Sequence, residues 1–84
     1  MIFLIEYNRP KGQLVDFQRF DDSRRQEAIG LRFKRELELH QNSVADHEVV
    51  LLEAENEEAI RKSHRRYFET LEEFLKTTVD SLGA

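Results

Sequence analysis

Cysteine is absent from this 84-residue chain, and that absence excludes disulfides and thiolate metal sites. It also fits a reducing compartment. No apolar run approaches the roughly 18 residues of a membrane span. The opening run Ile2-Phe3-Leu4-Ile5 stops at Glu6, with no basic segment before it and no small-residue cleavage site after it. No signal peptide is read there, and a cytoplasmic location is expected. The three glycines are scattered, so there is no phosphate-cradling loop, and no Gly-x-Ser-x-Gly nucleophile motif occurs. The three histidines, His40, His47 and His64, stand at no His-x-x-x-His or His-x-x-Glu spacing. No metal and no cofactor are expected from them.

The chain does carry charge, with 36% Asp, Glu, Lys and Arg and a net charge of -4. An acidic balance favours solubility and argues against a general affinity for nucleic acid. Apolar residues make up 39% of the chain and recur periodically, which separates it from a disordered polyelectrolyte. The length suits one domain. A domain of this size buries roughly 60–65% of the surface its unfolded chain exposes, so an additional source of stability is expected. Without disulfides, oligomerisation is the natural one.

The element order reads ββαβα. Met1 to Tyr7 is apolar on both faces, with Ile2 and Leu4 on one and Phe3, Ile5 and Tyr7 on the other. Such a strand belongs in the middle of its sheet. Asn8-Arg9-Pro10-Lys11-Gly12 is a turn, and Gln13 to Phe20 is a more polar return strand at an edge. Asp21-Asp22-Ser23 opens a helix that runs to about Gln41, with Ser23 and Gln26 in capping-box spacing. That helix carries two apolar stripes, Ile29, Phe33 and Leu37 on one and Ala28, Leu31 and Leu39 on the other, which implies two neighbours. Gly30 inside it costs about 1 kcal/mol relative to Ala, for which a closely approaching neighbour would be one reason. His47 to Ala54 is a third strand. The connections predict a three-stranded sheet in the order 2-1-3 within an α+β two-layer sandwich. One helix layer would leave the second sheet face uncovered, and an exposed apolar face of that kind marks an interface.

Asn56 caps the last helix, which carries an apolar stripe through Ile60, His64, Tyr67, Leu71, Phe74, Thr78 and Leu82, widened by Phe68, Leu75 and Val79. Unbroken to Leu82 it would span about 40 Å, against about 20 Å for a six-residue strand. The overhang makes residues 69–82 a helical extension of the single domain, and Leu71, Phe74, Leu75, Val79 and Leu82 the expected interface with a second copy. Thr70 and Glu73 form a second capping box, so a break near Glu69 is the alternative. The extension would then fold back over its own sheet.

Three functions follow. The leading expectation is a non-enzymatic homodimeric protein-interaction or structural module with no membrane contact. The second is nucleic-acid binding through Arg61, Lys62, Arg65 and Arg66, the densest basic segment, although Glu53, Glu55, Glu57, Glu58, Glu69, Glu72 and Glu73 bracket it. The third is a small enzyme or ligand-binding domain with a pocket around Glu6, Glu53, His64 and Tyr67, where a carboxylate near His64 could tune it for acid–base work. Glu6 shares a face with Ile2 and Leu4, so its carboxylate needs a strand end, a partner or a pocket.

Overall fold

A computed structural model describes residues 1–68 of the chain. It contains β1 (Ile2–Asn8), β2 (Gln13–Phe20), α1 (Arg25–Gln41), β3 (His47–Glu53) and α2 (Glu57–Ser63). Single 3-10 turns precede α1 (Asp22–Arg24) and follow α2 (Arg65–Tyr67). The sheet order is β2-β1-β3, and both neighbours run antiparallel to β1. The predicted α+β class, strand order and central first strand are therefore seen directly. Residues 69–84, and with them the expected interface of Leu71, Phe74, Leu75, Val79 and Leu82, lie outside the described residues.

Local chemistry accounts for the joints. In the hairpin, Pro10 suits the second position of a turn closed by the Gly12 amide donating to the Arg9 carbonyl at 3.2 Å, and Gly12 takes φ 61°. The β1–β2 register slips once, between Glu6 and Tyr7, leaving Val15 as the extra residue of a bulge. Helix α1 ends with Ser43 at φ 57° and the Val44 amide donating to the Leu39 carbonyl at 2.8 Å. That is the reversed ending usually given to glycine. The Asn56 side chain accepts from the Ala59 amide at 2.8 Å and caps α2 as expected.

Three expectations are corrected. The Ser23 capping box does not form: a 3-10 turn leads into α1, and Arg24 clasps Glu27 one turn on, at 2.7 and 2.8 Å. No neighbour crowds Gly30, since a Cβ there would meet nothing within 4 Å. The last helix is not continuous either. It closes at Ser63, ahead of the expected break, and His64 leaves helical geometry at φ -128°, ψ 51°. The Ser63 hydroxyl donates to the Ala59 carbonyl at 3.0 Å, a local bond that competes with helix continuation.

That early break changes the layering. On one face of the sheet Ile2, Leu4, Phe20 and Val49 pack with Ala28 and Leu39 of α1. On the other, Phe3 and Ile5 pack with Ile60 of α2 and Tyr67 of the following turn, and Tyr7, Phe17, Val50, Leu52 and Phe68 join them. The face expected to stand open is thus covered, because the turn at His64 lays Tyr67 across Tyr7, with ring centroids 5.2 Å apart and edge to face. Central β1 is buried from Ile2 to Glu6, as a strand packed on both sides must be.

Candidate functional site

Polar groups concentrate where the end of β1 meets the start of β3. Alternation places Glu6 on the α1 side of β1, beyond Leu4, and the register sets it opposite Val49. Its residue exposure is only 5%. A lone carboxylate so placed would be costly. Arg35 answers it as a fork, with Nε 2.5 Å from Oε1 and Nη2 3.0 Å from Oε2. His47 Nδ1 lies 2.6 Å from Oε2, and Asn8 Nδ2 lies 3.5 Å from His47 Nε2. The Arg35 hydrogen bonds hold the Glu6 carboxyl below the usual carboxylate range, against the opposing effect of burial, with His47 adding to the lowering.

The opposite face of the same sheet end carries a second cluster. Glu48 accepts from the Tyr67 hydroxyl at 2.8 Å and from Arg66 Nη2 at 3.1 Å, and Arg9 Nε stands 3.6 Å away. Burial pushes the Glu48 carboxyl up, but Tyr67, Arg66 and Arg9 outweigh it and the net direction is down. Burial and the adjoining carboxylate both raise the Tyr67 hydroxyl. The Arg66 guanidinium also lies over the Tyr67 ring, 4.3 Å from its centroid.

The expected pocket around Glu6, Glu53, His64 and Tyr67 is not assembled by this geometry. Glu6 and Tyr67 lie on opposite faces of the sheet. Glu53 sits at the far end of β3, opposite Ile2, and pairs with Arg25. His64 stacks beside Tyr67 with centroids 6.3 Å apart, and its Nδ1 is 2.9 Å from the Ser63 hydroxyl oxygen. An open cleft does run between β2 and α1 next to Glu6, lined by Val15, Leu31 and Lys34 among others, but on the other side of the sheet from Tyr67.

The basic segment is interlocked with acid. Arg61 reaches Glu57 at 2.8 Å and lies over the Phe68 ring at 4.7 Å. Lys62 pairs with Glu58 at 3.1 Å, Arg66 with Glu48, and exposed Arg65 is engaged as well. Among the described residues no group of three or more acidic or His side chains is placed to hold a metal.

Sequence reasoning flagged Glu6 but not its partners. Arg35 had a legible signal: it continues the Ala28, Leu31 and Leu39 row that faces the sheet, so a cation there implied a buried anion opposite. His47 and Glu48 needed the strand register, which sets them across from Asn8 and Tyr7. Chemically, both clusters are closed. Both His47 ring nitrogens and both Glu6 oxygens are occupied, and neither cluster contains a thiol or aliphatic hydroxyl to act as nucleophile. They act as polar clasps, one tying α1 to the sheet and one tying the turn after α2 to it.

Comparison with protein-family models, with curated proteins and with solved structures finds no match. The fold itself defines the class: an α+β protein built on a three-stranded antiparallel sheet with β1 at its centre. Among the described residues no helix is long and apolar enough to cross a membrane.

Proposed function

We propose that this chain is a non-enzymatic protein-interaction module that works as a homodimer. The observation that carries the reading is the outward face of α1. Ile29, Phe33 and Leu37 stand at successive i,i+4 positions and are 44%, 67% and 44% exposed. A side chain like Phe33 gains about 1.5–3 kcal/mol on full burial, and three in one stripe make a coherent surface. The closed state of the two polar clusters supports a binding role over catalysis. The acid partners of Arg61, Lys62 and Arg66 leave phosphate recognition without a dedicated cation surface.

The test is the mass in solution. Sedimentation equilibrium should give twice the 10.0 kDa of the chain. Phe33→Glu should weaken the dimer at least about 10-fold, since more than about 1.4 kcal/mol of burial is lost. Leu71→Glu combined with Phe74→Glu should do the same through the C-terminal stripe. A wild-type chain that stays monomeric at millimolar concentration ends the reading.

A further inference from the structure

Strand β3 lies at an edge of the sheet yet has the sequence of a central strand. Among the described residues it pairs with β1 alone. Val49-Val50-Leu51-Leu52 fills its middle, carboxylates stand only near its ends at Glu48 and Glu53, and it contains no Lys, Arg, Pro or Gly. Sheet edges are ordinarily guarded by bulges, charges or prolines. The opposite edge, β2, has such guards: a bulge at Val15, Asp16 tied to Gln18 at 2.7 Å, and Arg19. Strand β3 keeps its register with β1 without a slip, and Val50, Leu51 and Leu52 are left half-buried. Resting on the homodimer reading, we infer that β3 pairs antiparallel with β3 of a second copy, centred on Val50, so that the two three-stranded sheets become one.

The backbone is oriented for it. The Ala54 amide donates to the Met1 carbonyl at 3.1 Å, and the Arg9 amide to the Asp46 carbonyl at 3.0 Å, one at each end of the β1–β3 ladder. Hydrogen-bonded pairs alternate along an antiparallel ladder. Glu48, Val50 and Leu52 therefore turn their amides and carbonyls toward β1, and Val49 and Leu51 turn theirs outward. Centring on Val50 sets Val49 of each copy opposite Leu51 of the other, outward amide to outward carbonyl. Both side chains lie on the α1 face. Glu48 then faces Leu52 and Glu53 faces His47, so no two carboxylates are directly opposed.

The surroundings of the edge suit a second copy in particular. An open groove of about 600 Å³ runs beside β3, lined by Leu39, Val44 and Val49 on the α1 side and by Arg9 and Glu48 on the other. Leu51 of the second copy falls beside Val49, against Leu39 and Val44. Helix α1 lies over β3 and β1. With its axis about half a strand spacing inside β3, and strands about 4.8 Å apart, the two α1 helices come within about 10 Å, the distance of packed helices. Glu36 lines the groove with Val50, and Arg32, one turn earlier, bonds it at 3.2 Å. A two-fold axis lays this row antiparallel on its own copy, acid against base. Ile29, two turns before Glu36 and on the same side of α1, meets the second helix there, with Phe33 at the rim of the contact.

Hydrogen exchange on the unaltered chain reads the pairing directly. In dilute monomer the Val50 and Leu52 amides should be protected and those of Val49 and Leu51 open. At millimolar protein the latter two should slow at least 10-fold. Single thiols then fix the register, since the native chain has no cysteine. Val50→Cys sets two thiols across the axis with Cα atoms about 4.5 Å apart, within disulfide range, whereas Leu52→Cys leaves them about 13 Å apart along the strands. Val50→Cys should oxidise to a covalent dimer at least 10-fold faster than Leu52→Cys, and the reverse preference overturns the centring on Val50. Protection of Val49 and Leu51 that does not depend on concentration would assign the edge to a segment of the same chain and overturn the pairing. A dimer by sedimentation in which these amides stay open overturns the pairing and leaves the homodimer standing, whereas a monomer removes both.

Discussion

The two faces of the sheet are covered by helices of unequal length, and the shorter one works with larger side chains. The 17-residue α1 buries only Ala28 and Leu39 of its own residues, against Ile2, Leu4, Phe20 and Val49 of the sheet. The seven-residue α2 and the turn after it shield Ile60 and Tyr67, and draw in Phe3, Ile5, Tyr7, Phe17 and Phe68. The difference lies in side-chain size and in the break at His64. On the α2 side, aromatic rings fill the space, Phe3 stacking on Phe17 at 5.5 Å, so a short element suffices. On the α1 side the packing is aliphatic apart from Phe20, and the end of the layer is closed by an ion pair, Glu6 with Arg35. Helix α1 is longer than its own sheet needs, and its remaining apolar residues point outward. That outward stripe is the surface on which the proposed dimer rests.

The comparison can be broken at its strongest point first. Phe3→Ala removes the largest fully buried side chain from the aromatic face and should cost about 3–5 kcal/mol, read as a fall in the urea midpoint at pH 7. A loss under about 1 kcal/mol would mean that this face is not the main core.

The ion pair on the other face should respond more modestly and with a pH signature. Arg35→Leu leaves the Glu6 carboxylate with His47 alone. The cost should be about 1–3 kcal/mol, less than for a fully enclosed pair, because the Arg35 side chain is 40% exposed. The Glu6 carboxyl is held low in the folded state, so its stabilisation is complete above its unfolded value near 4.3 and is lost as pH falls through the lower folded value. Wild type should therefore lose more stability than Glu6→Gln between about pH 5 and pH 2.5. Parallel pH profiles for the two proteins would show that Glu6 is not coupled to Arg35.

The smallest effect should have the opposite sign. Gly30→Ala lies on the outward face of α1, where a Cβ meets nothing within the chain. It should stabilise the monomeric fold by about 0.5–1 kcal/mol in thermal unfolding of dilute protein. Destabilisation would place a neighbour against that position.

Much of this architecture was legible in the residues. The alternation on both faces of Ile2–Tyr7 identified the central strand, Asn56 marked the start of α2, and the connection pattern fixed the order β2-β1-β3. The two stripes of α1 were legible too, but not which of them met the sheet. The site was legible only as a question, a carboxylate at Glu6 without a visible partner. Its answer, Arg35 and His47, depends on contacts 29 and 41 residues away along the chain, which no local pattern encodes. The helix break was missed for a related reason. The 3.6-residue period passes through His64 undisturbed, while the actual ending depends on a hydroxyl turning back onto its own carbonyls and on a tyrosine finding Glu48.

The sequence by itself determined the elements, because periodicity, capping and turn chemistry act over a few residues. It also determined that no disulfide or thiolate site could assist the fold. Only the tertiary structure decided which apolar stripe became core and which stayed outside. That choice depends on where α1 crosses the sheet, and a helix bearing apolar residues on two sides satisfies either choice locally. The surplus stripe on α1 is thus a product of the packing, and it is the surface on which the proposed dimer rests.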